Sequence, residues 1–358
     1  MVAAWRLTRY LGWAVLSGIV LTLLLLVSIH LLIDLIREAR GLGGDYGVVQ
    51  MAWYLLQTMP RRVYDIFPFA ALIGTLVGLG GLAAANELVA MRAAGFDRGH
   101  LTFRVLLVVG GCVLLIMAVA EWWIPDLESR ARAERQQARS GELHIGDLDQ
   151  LWLRDGAYVI RLERSLWRDE TELEFVGALI YKLDEAMQPK QVMQAERAVH
   201  QGDHWQLERV SLRGFDDSGS GELQANVQLA SGLSPELFIA AVSRPRLLAM
   251  SDLRQMRDYL RRSGQDEAVY AQAFWQRMFY PLNVLAMVMV ALPFVFRGGR
   301  GGVHGPGLFV GVVLGLMFFV LSRLTQSLAM VWPLPLWFSM LLPAVLILGL
   351  SVVLLRRL

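Results

Sequence analysis

Apolar residues gather into six long stretches that few charges interrupt: Leu11 to Ile33, Ile66 to Ala85, Val105 to Ile124, Phe279 to Phe296, Leu308 to Val331 and Trp337 to Leu355. A bilayer core takes about 20 mostly apolar residues in helical form, so the pattern predicts six membrane-spanning helices. The fourth stretch is the shortest. The residues before it, Asp266 to Arg277, have helix-forming composition, and Pro281 is expected to kink the helix rather than end it. The first stretch is longer than the roughly 7 to 15 residues of a signal-peptide core and lacks a small-residue cleavage site, so it reads as a retained helix.

After Pro125 the period changes. Glu128 to Gly141 is arginine-rich and helix-compatible, an extension of the third spanning helix that Gly141 is expected to end. Tyr158, Ile160 and Leu162 then alternate with Val159, Arg161 and Glu163, and Leu223, Ala225, Val227 and Leu229 alternate with Glu222, Gln224, Asn226 and Gln228. That is the two-residue period of half-buried strands. Asp155-Gly156, Gln201-Gly202-Asp203 and Asp217-Ser218-Gly219 punctuate them as turns. Short strands with such turns predict an all-β sandwich or jelly-roll sheet. Leu253, Met256, Tyr259 and Leu260 return to helical spacing, with Ser251 as the expected N-cap and Gly264 just past the end. The predicted organisation is an α-helical membrane bundle of three plus three spans with an inserted jelly-roll-like domain. Residues 1–124 hold the first three helices and a short helix near 86–95, residues 125–265 the β domain with flanking helices, and residues 266–358 the last three helices.

Composition agrees. Of 358 residues, 55% are hydrophobic and 18% charged, with mean hydropathy +0.43, against roughly 25% charged in soluble domains. Lysine occurs only at Lys182 and Lys190, so no phosphate-loop lysine follows a glycine-rich turn, and Cys112 alone removes intrachain disulfides and Cys-rich zinc sites. From Pro125 to Met278 there are 20 basic and 25 acidic residues, against 14 and 7 elsewhere. Orientation follows from the short loops. Arg6, Arg9, Arg92, Arg98, Arg104, Arg297, Arg300, Arg356 and Arg357 lie on one side, and Arg37, Arg40, Arg61 and Arg62 on the other. The richer side is cytoplasmic, which puts both termini in the cytoplasm and the β domain outside.

No catalytic constellation is visible, and no cofactor is expected. His200 and His204 are four apart, but Gly202-Asp203 between them breaks the helix that would aim both at a metal. The Arg-Gly-Gly-Arg-Gly-Gly run from Arg297 is read as a flexible positive loop rather than an RNA-binding tract. Charges near the outer membrane surface say more: Asp34, Arg37, Arg40, Arg61, Arg62, Glu121 and Arg323. Interfacial snorkelling is the plain account of Asp34 and Glu121, whereas Arg323 lies some fifteen residues into its helix, where charge marks a bundle interior or a wet cavity. Arginines at an apolar mouth suit an anionic, partly lipidic ligand, since guanidinium forks clamp phosphate or carboxylate. Arg132 and Arg135 join this set. On the cytoplasmic side, NELVAMRAAGFDRGH (86–100) predicts a short docking helix. Asn86 is its expected cap, Glu87 its leading acid, Leu88, Val89 and Met91 its apolar contacts, Arg92 its basic end and Gly95 its stop. Loops this short cannot hold a nucleotide domain, so any ATP would be hydrolysed on another chain.

The segment MPRRVYDIFPFAALIGTLVGLGGLAAANELVAMRAAGF (59–96) resembles the permease subunits of the lipopolysaccharide export ABC transporter, the LptF/LptG family. EWWIP (121–125), SGQD (263–266) and YPLNVLAMVMVALPF (280–294) resemble its LptG type in particular. The resemblance implies a heterodimer with an LptF-like permease over an LptB-like ATPase dimer, joined by an LptC-like single-span protein and a periplasmic LptA-like bridge. It further implies a Gram-negative inner membrane, lipopolysaccharide as cargo and no enzyme activity in this chain. By the same resemblance Glu87, with Leu88, Met91 and Arg92, would couple to the ATPase, and Arg37, Arg40, Arg61, Arg132 and Arg135 would meet the lipid's phosphates. Arg323 matches no family cation and is assigned to the cargo site from its position alone. Three readings compete. An LptF-type subunit is the nearest; a structural anchor for a β domain would not need six spans and a docking helix; a membrane enzyme would need a catalytic cluster.

Overall fold

The structure, a computed structural model, describes residues 2–43, 46–140, 151–169, 172–184, 188–201, 204–214, 222–230, 245–262, 264–297, 305–331 and 335–357. The chain divides into two compact units. One comprises Met1–Glu38, Leu55–Ile124 and Ala271–Leu358; the other Ala39–Tyr54 and Pro125–Tyr270.

The first unit is a helical bundle. Its elements are α1 (Val2–Ala39), the end of α2 (Val48–Gln57), α3 (Met59–Ala84), α4 (Glu87–Ala93), α5 (Arg98–Trp122), α8 (Ala268–Met278), α9 (Tyr280–Arg297), α10 (Gly305–Val331) and α11 (Leu336–Arg356). Among the described residues five helices are long and apolar enough to span a membrane, and α8 with α9 make a sixth if that pair, bent by 50°, counts as one span. The bend falls at Phe279, just ahead of Pro281, where a helix cannot place a donor. Helix α3 is central: 61% of its apolar window is buried, against 17% for both α1 and α10. Leu72, Leu76, Val105, Val109, Val284, Val288 and Leu292 fill the core around it. Helix α1 meets α3 backbone to backbone. A methyl group on Gly74 would fall on the Cα of Ile19, and one on Gly18 or Gly78 on a carbonyl of the facing helix. Without a hydrophobic drive between helices in lipid, such small-residue contacts are what lets helices pack closely.

The second unit is built on a six-stranded antiparallel sheet in sequence order: β1 (Leu151–Asp155), β2 (Tyr158–Asp169), β3 (Glu172–Leu183), β4 (Pro189–Gln201), β5 (His204–Gly214) and β6 (Glu222–Ala230). Asp155 pairs with Tyr158 across a two-residue turn that holds Gly156 at φ +58°, as the Asp-Gly signal predicts. Ile160, Leu162, Phe175, Ile180, Met193, Trp205 and Leu207 form one buried face. The alternation slips by one residue along a line through Gly177, Glu196 and Arg209. Phe175 and Ala178, Ala195 and Ala198, and Leu207 and Val210 all face inward, leaving two outward residues between each pair. Positive φ at Gly177 (81°) and Arg209 (52°) makes this crease possible. Helices α6 (Ile124–Ser140) and α7 (Met250–Arg262) flank the sheet in sequence. Tyr259 of α7 packs on the sheet core and donates its hydroxyl to the Arg154 carbonyl at 2.8 Å. At the end of α7, Arg257 and Arg261 donate to Glu267 at 3.1 and 2.6 Å. Desolvation raises the Glu267 pKa, but the two guanidiniums outweigh it and hold the group below the usual carboxylate range.

Two expected caps are corrected. Ser251 lies inside α7 and bonds Asp252, while Asn86 makes no side-chain cap bond and adopts φ +57°, turning the chain between α3 and α4. Gly264 does end its helix, at φ +65°. The expected stop at Gly141 and the turns at Gly202-Asp203 and Asp217-Ser218-Gly219 lie outside the described residues, as does most of the Arg-Gly-Gly-Arg-Gly-Gly run.

Candidate functional site

Helix α4 is short because the chain leaves it through Gly95 at φ +92°, with the Gly95 and Phe96 amides bonded back to the carbonyls of Arg92 and Met91. Asp97 then caps α5 by accepting from the Gly99 amide at 3.3 Å. The amphipathic pattern of α4 decides its orientation. Leu88 and Met91 are buried in the bundle core, so they root the helix instead of lying on its free surface; Val89 and Arg92 are exposed. Glu87 is half-buried and lies near the Tyr10 hydroxyl of α1, and its Oε2 is buried with no hydrogen-bond partner among the described residues. A buried acceptor left without a donor is costly, which marks the acid at the head of α4 as a group in want of a partner.

The bundle's arginines at the far ends of α1 and α3 mostly hold helices. Arg62 donates to Asp34 at 2.6 Å, to the Leu55 carbonyl at 2.9 Å and to the Thr58 hydroxyl, spanning the break between α2 and α3 and pinning it to α1. Its side chain is 11% exposed and that of Asp34 19%, so Asp34 is a structural counter-ion rather than a snorkelling rim charge. Arg37 reaches the same Asp34 at 3.6 Å but stays 72% exposed. Arg61 donates to Asp65 at 3.1 Å and lies over the Tyr64 ring. Arg323 is exposed on α10, about 12 Å of helix rise before Val331; its guanidinium lies over the Phe319 ring and makes no ion pair among the described residues. Of the predicted cargo cations in this unit, Arg37 and Arg323 are the open ones.

In the second unit, Arg132, Arg135 and Arg139 recur at spacings of three and four along α6 and share one face. Arg135 lies over the Tyr54 ring and Arg139 over that of buried Tyr46, while Arg132 donates to Glu128 at 3.0 Å. Ring faces attract guanidinium without neutralising it. Arg40 is exposed and makes no ion pair among the described residues. Sequence reasoning passed over Arg139 and the two tyrosines. The 132/135/139 spacing was legible; the stacking on residues 81 and 93 positions away was not. It also passed over Arg277, a buried cation of α8 paired with Glu121.

No cluster of His, Cys, Asp or Glu able to hold a metal occurs among the described residues. His200 is buried, edge-on to Trp205 in the sheet core, far from a helical ligand pair with His204. The arrangement is that of a multi-pass membrane protein with an inserted antiparallel sheet, whose polar groups fix helices and leave some cations exposed. Comparison narrows the class. The family model described as "Lipopolysaccharide export system permease LptF/LptG" matches residues 9–357. The lipopolysaccharide export system permease protein LptG of Escherichia coli strain K12 is 32% identical over 343 residues, 94% of each chain, and that of Haemophilus influenzae is 30% identical over 347 residues, 95% of each. The chain belongs to the LptF/LptG permease family.

Proposed function

We propose that the chain is an LptG-type transmembrane subunit of an ABC transporter that lifts lipopolysaccharide from the periplasmic leaflet of the inner membrane and passes it toward a periplasmic bridge. The observation that carries this reading is α4: a half-buried acid whose Oε2 lacks a donor among the described residues heads a helix whose apolar residues are rooted in the bundle. An LptB-like ATPase dimer would dock there, and hydrolysis would occur on that dimer and not on this chain. With α4 rooted through Leu88 and Met91, and joined to α3 by the Asn86 turn, ATP-driven closure moves the most buried span directly. Helix α3 carries α1 with it through the Gly18/Gly74/Gly78 crossing. The ends of α1 and α3 that bear Arg37 and Arg61 then shift, narrowing a cavity shared with an LptF-like partner.

In this reading there are three spans before and three after the sheet, the bent α8–α9 pair counting as one. Both termini are cytoplasmic, and the sheet of residues 125–265 belongs to a periplasmic jelly-roll-like domain that meets LptC-like and LptA-like proteins. Arg37, Arg40, Arg61, Arg132, Arg135 and Arg323 meet the phosphates of the cargo, the open guanidiniums among them making the first contacts. Glu87→Arg places two cations in opposition at the docking surface and should reduce ATPase association and export by about tenfold or more, the loss expected when a charge-assisted bond of about 1.5–3 kcal/mol is removed. The readouts are co-purification of the ATPase and lipopolysaccharide release from proteoliposomes; wild-type values for both would defeat the assignment of α4.

A further inference from the structure

The chain passes from the bundle into the sheet unit after Ile124 and returns at Ala271. Glu121 lies three residues before the first crossing, at the end of α5, and Arg277 six residues after the second, at the end of α8. The Arg277 guanidinium donates to Glu121 Oε2 at 3.2 Å, and the side chains are 7% and 31% exposed. The pair lies wholly within the bundle unit, yet it joins the two segments that lead into and out of the β insertion, 156 residues apart.

The surroundings make the placement specific. One residue before Arg277, Gln276 donates through Nε2 to Gln326 Oε1 of α10 at 2.8 Å, so α8 is tied to two helices at once. On the other side of the 50° break, Tyr280 stacks on Tyr64 of α3 with centroids 4.2 Å apart and donates its hydroxyl to the Tyr64 carbonyl at 2.8 Å. The break is therefore held separately on each side: α8 by α5 and α10, α9 by α3. An ion pair buried among apolar helices is a poor source of stability compared with well-packed apolar residues, and its best-attested use is to specify one geometry among several.

We propose that Glu121 and Arg277 form a positioning pair that keeps the outgoing and returning segments moving as one body, so that motion of the bundle about the Phe279 break is passed into the sheet unit. Delivery of cargo to the periplasmic acceptor depends on the pair; ATP turnover, driven from α4, does not. This rests on the pump reading above.

The test uses the whole transporter in proteoliposomes loaded with lipopolysaccharide, with the periplasmic acceptor outside. Removing one charge leaves the other stranded and risks misfolding, so the informative variants are the neutral double Glu121→Gln/Arg277→Gln and the exchange Glu121→Arg/Arg277→Glu. Spin labels at Trp122→Cys and Met278→Cys, both exposed positions, in a Cys112→Ala background report the separation of the two segments. In the neutral double variant, cargo delivered per ATP should fall at least about fivefold, the lower end of ordinary coupling between sites. ATPase rate should hold within about twofold and the label distances broaden, where a fall in ATPase matching the fall in delivery would indicate simple structural damage. The exchange should restore both delivery and a narrow distribution. Wild-type delivery with an unchanged distribution, or parallel loss of ATPase and delivery, overturns the proposal. Failure of the unmodified transporter to deliver lipopolysaccharide would instead overturn the pump reading, and the label distances would still judge the pair.

Discussion

The bundle and the sheet unit use the same guanidinium–carboxylate chemistry to different ends. In the bundle two pairs link helices distant in sequence, Asp34 with Arg62 and Glu121 with Arg277. In the sheet unit Glu174, Arg197 and Glu208 run across three strands with Glu174 buried, whereas Arg209 reaches Glu196 at 2.8 Å with both side chains largely in solvent. Water screens the Arg209–Glu196 pair and scarcely reaches Asp34 with Arg62, so a similar bond length carries different weight. The lesson is that a membrane protein's charges should be ranked by surroundings before they are counted.

Three substitutions sharpen that contrast. The largest effect is expected from Gly74→Leu, because its side chain must displace the backbone of α1 at Gly18 and Ile19. The two helices would part, costing more than the about 1–3 kcal/mol of ordinary overpacking. Loss of the purified, assembled complex in gel filtration would show it; a normally assembled variant would mean that the crossing is not a tight contact in the membrane. Next comes Asp34→Ala, which strands Arg62 between α1 and α3. Breaking such a pair costs about 3–5 kcal/mol when fully buried, and the partial exposure here puts the expectation near the lower end. Thermal unfolding in detergent would measure it, and Asp34→Ala/Arg62→Met should recover much of the loss. The smallest effect belongs to Arg209→Gly. It removes an exposed pair worth about 0–1 kcal/mol and relieves a left-handed backbone that disfavours side chains by a similar amount, so stability should move by less than about 1 kcal/mol. A loss comparable to that from Asp34→Ala would erase the distinction between the two regions.

Much of the architecture was readable because period is a local property. A run such as Val105 to Ile124 is apolar at every turn and can only be a membrane or core helix, and the alternation at Tyr158 to Leu162 can only be a half-buried strand. The short helix after Asn86 was readable for the same reason, through Gly95 and the leading Glu87. Its details were not. Asn86 has the chemistry of a cap and serves instead as a left-handed turn, and the capping acid one helix later, Asp97, went unremarked. The arginines proposed to meet cargo were legible as a class of residue but not as a ranking. Whether Arg62 is open or pinned depends on Asp34, 28 positions away, and the ring that Arg135 lies over, Tyr54, is 81 positions away.

Sequence alone determined which segments are helix, which are strand, where the chain leaves the apolar stretches and where it re-enters them, since hydrophobic spacing and turn residues act over a few positions. The tertiary structure decided which charges are engaged. It turned Asp34 from a rim acid into a counter-ion, left Arg37 and Arg323 open, and brought Glu121 to Arg277 across the whole inserted sheet. An ion pair is made by distance and desolvation, and neither quantity exists until separate helices have packed.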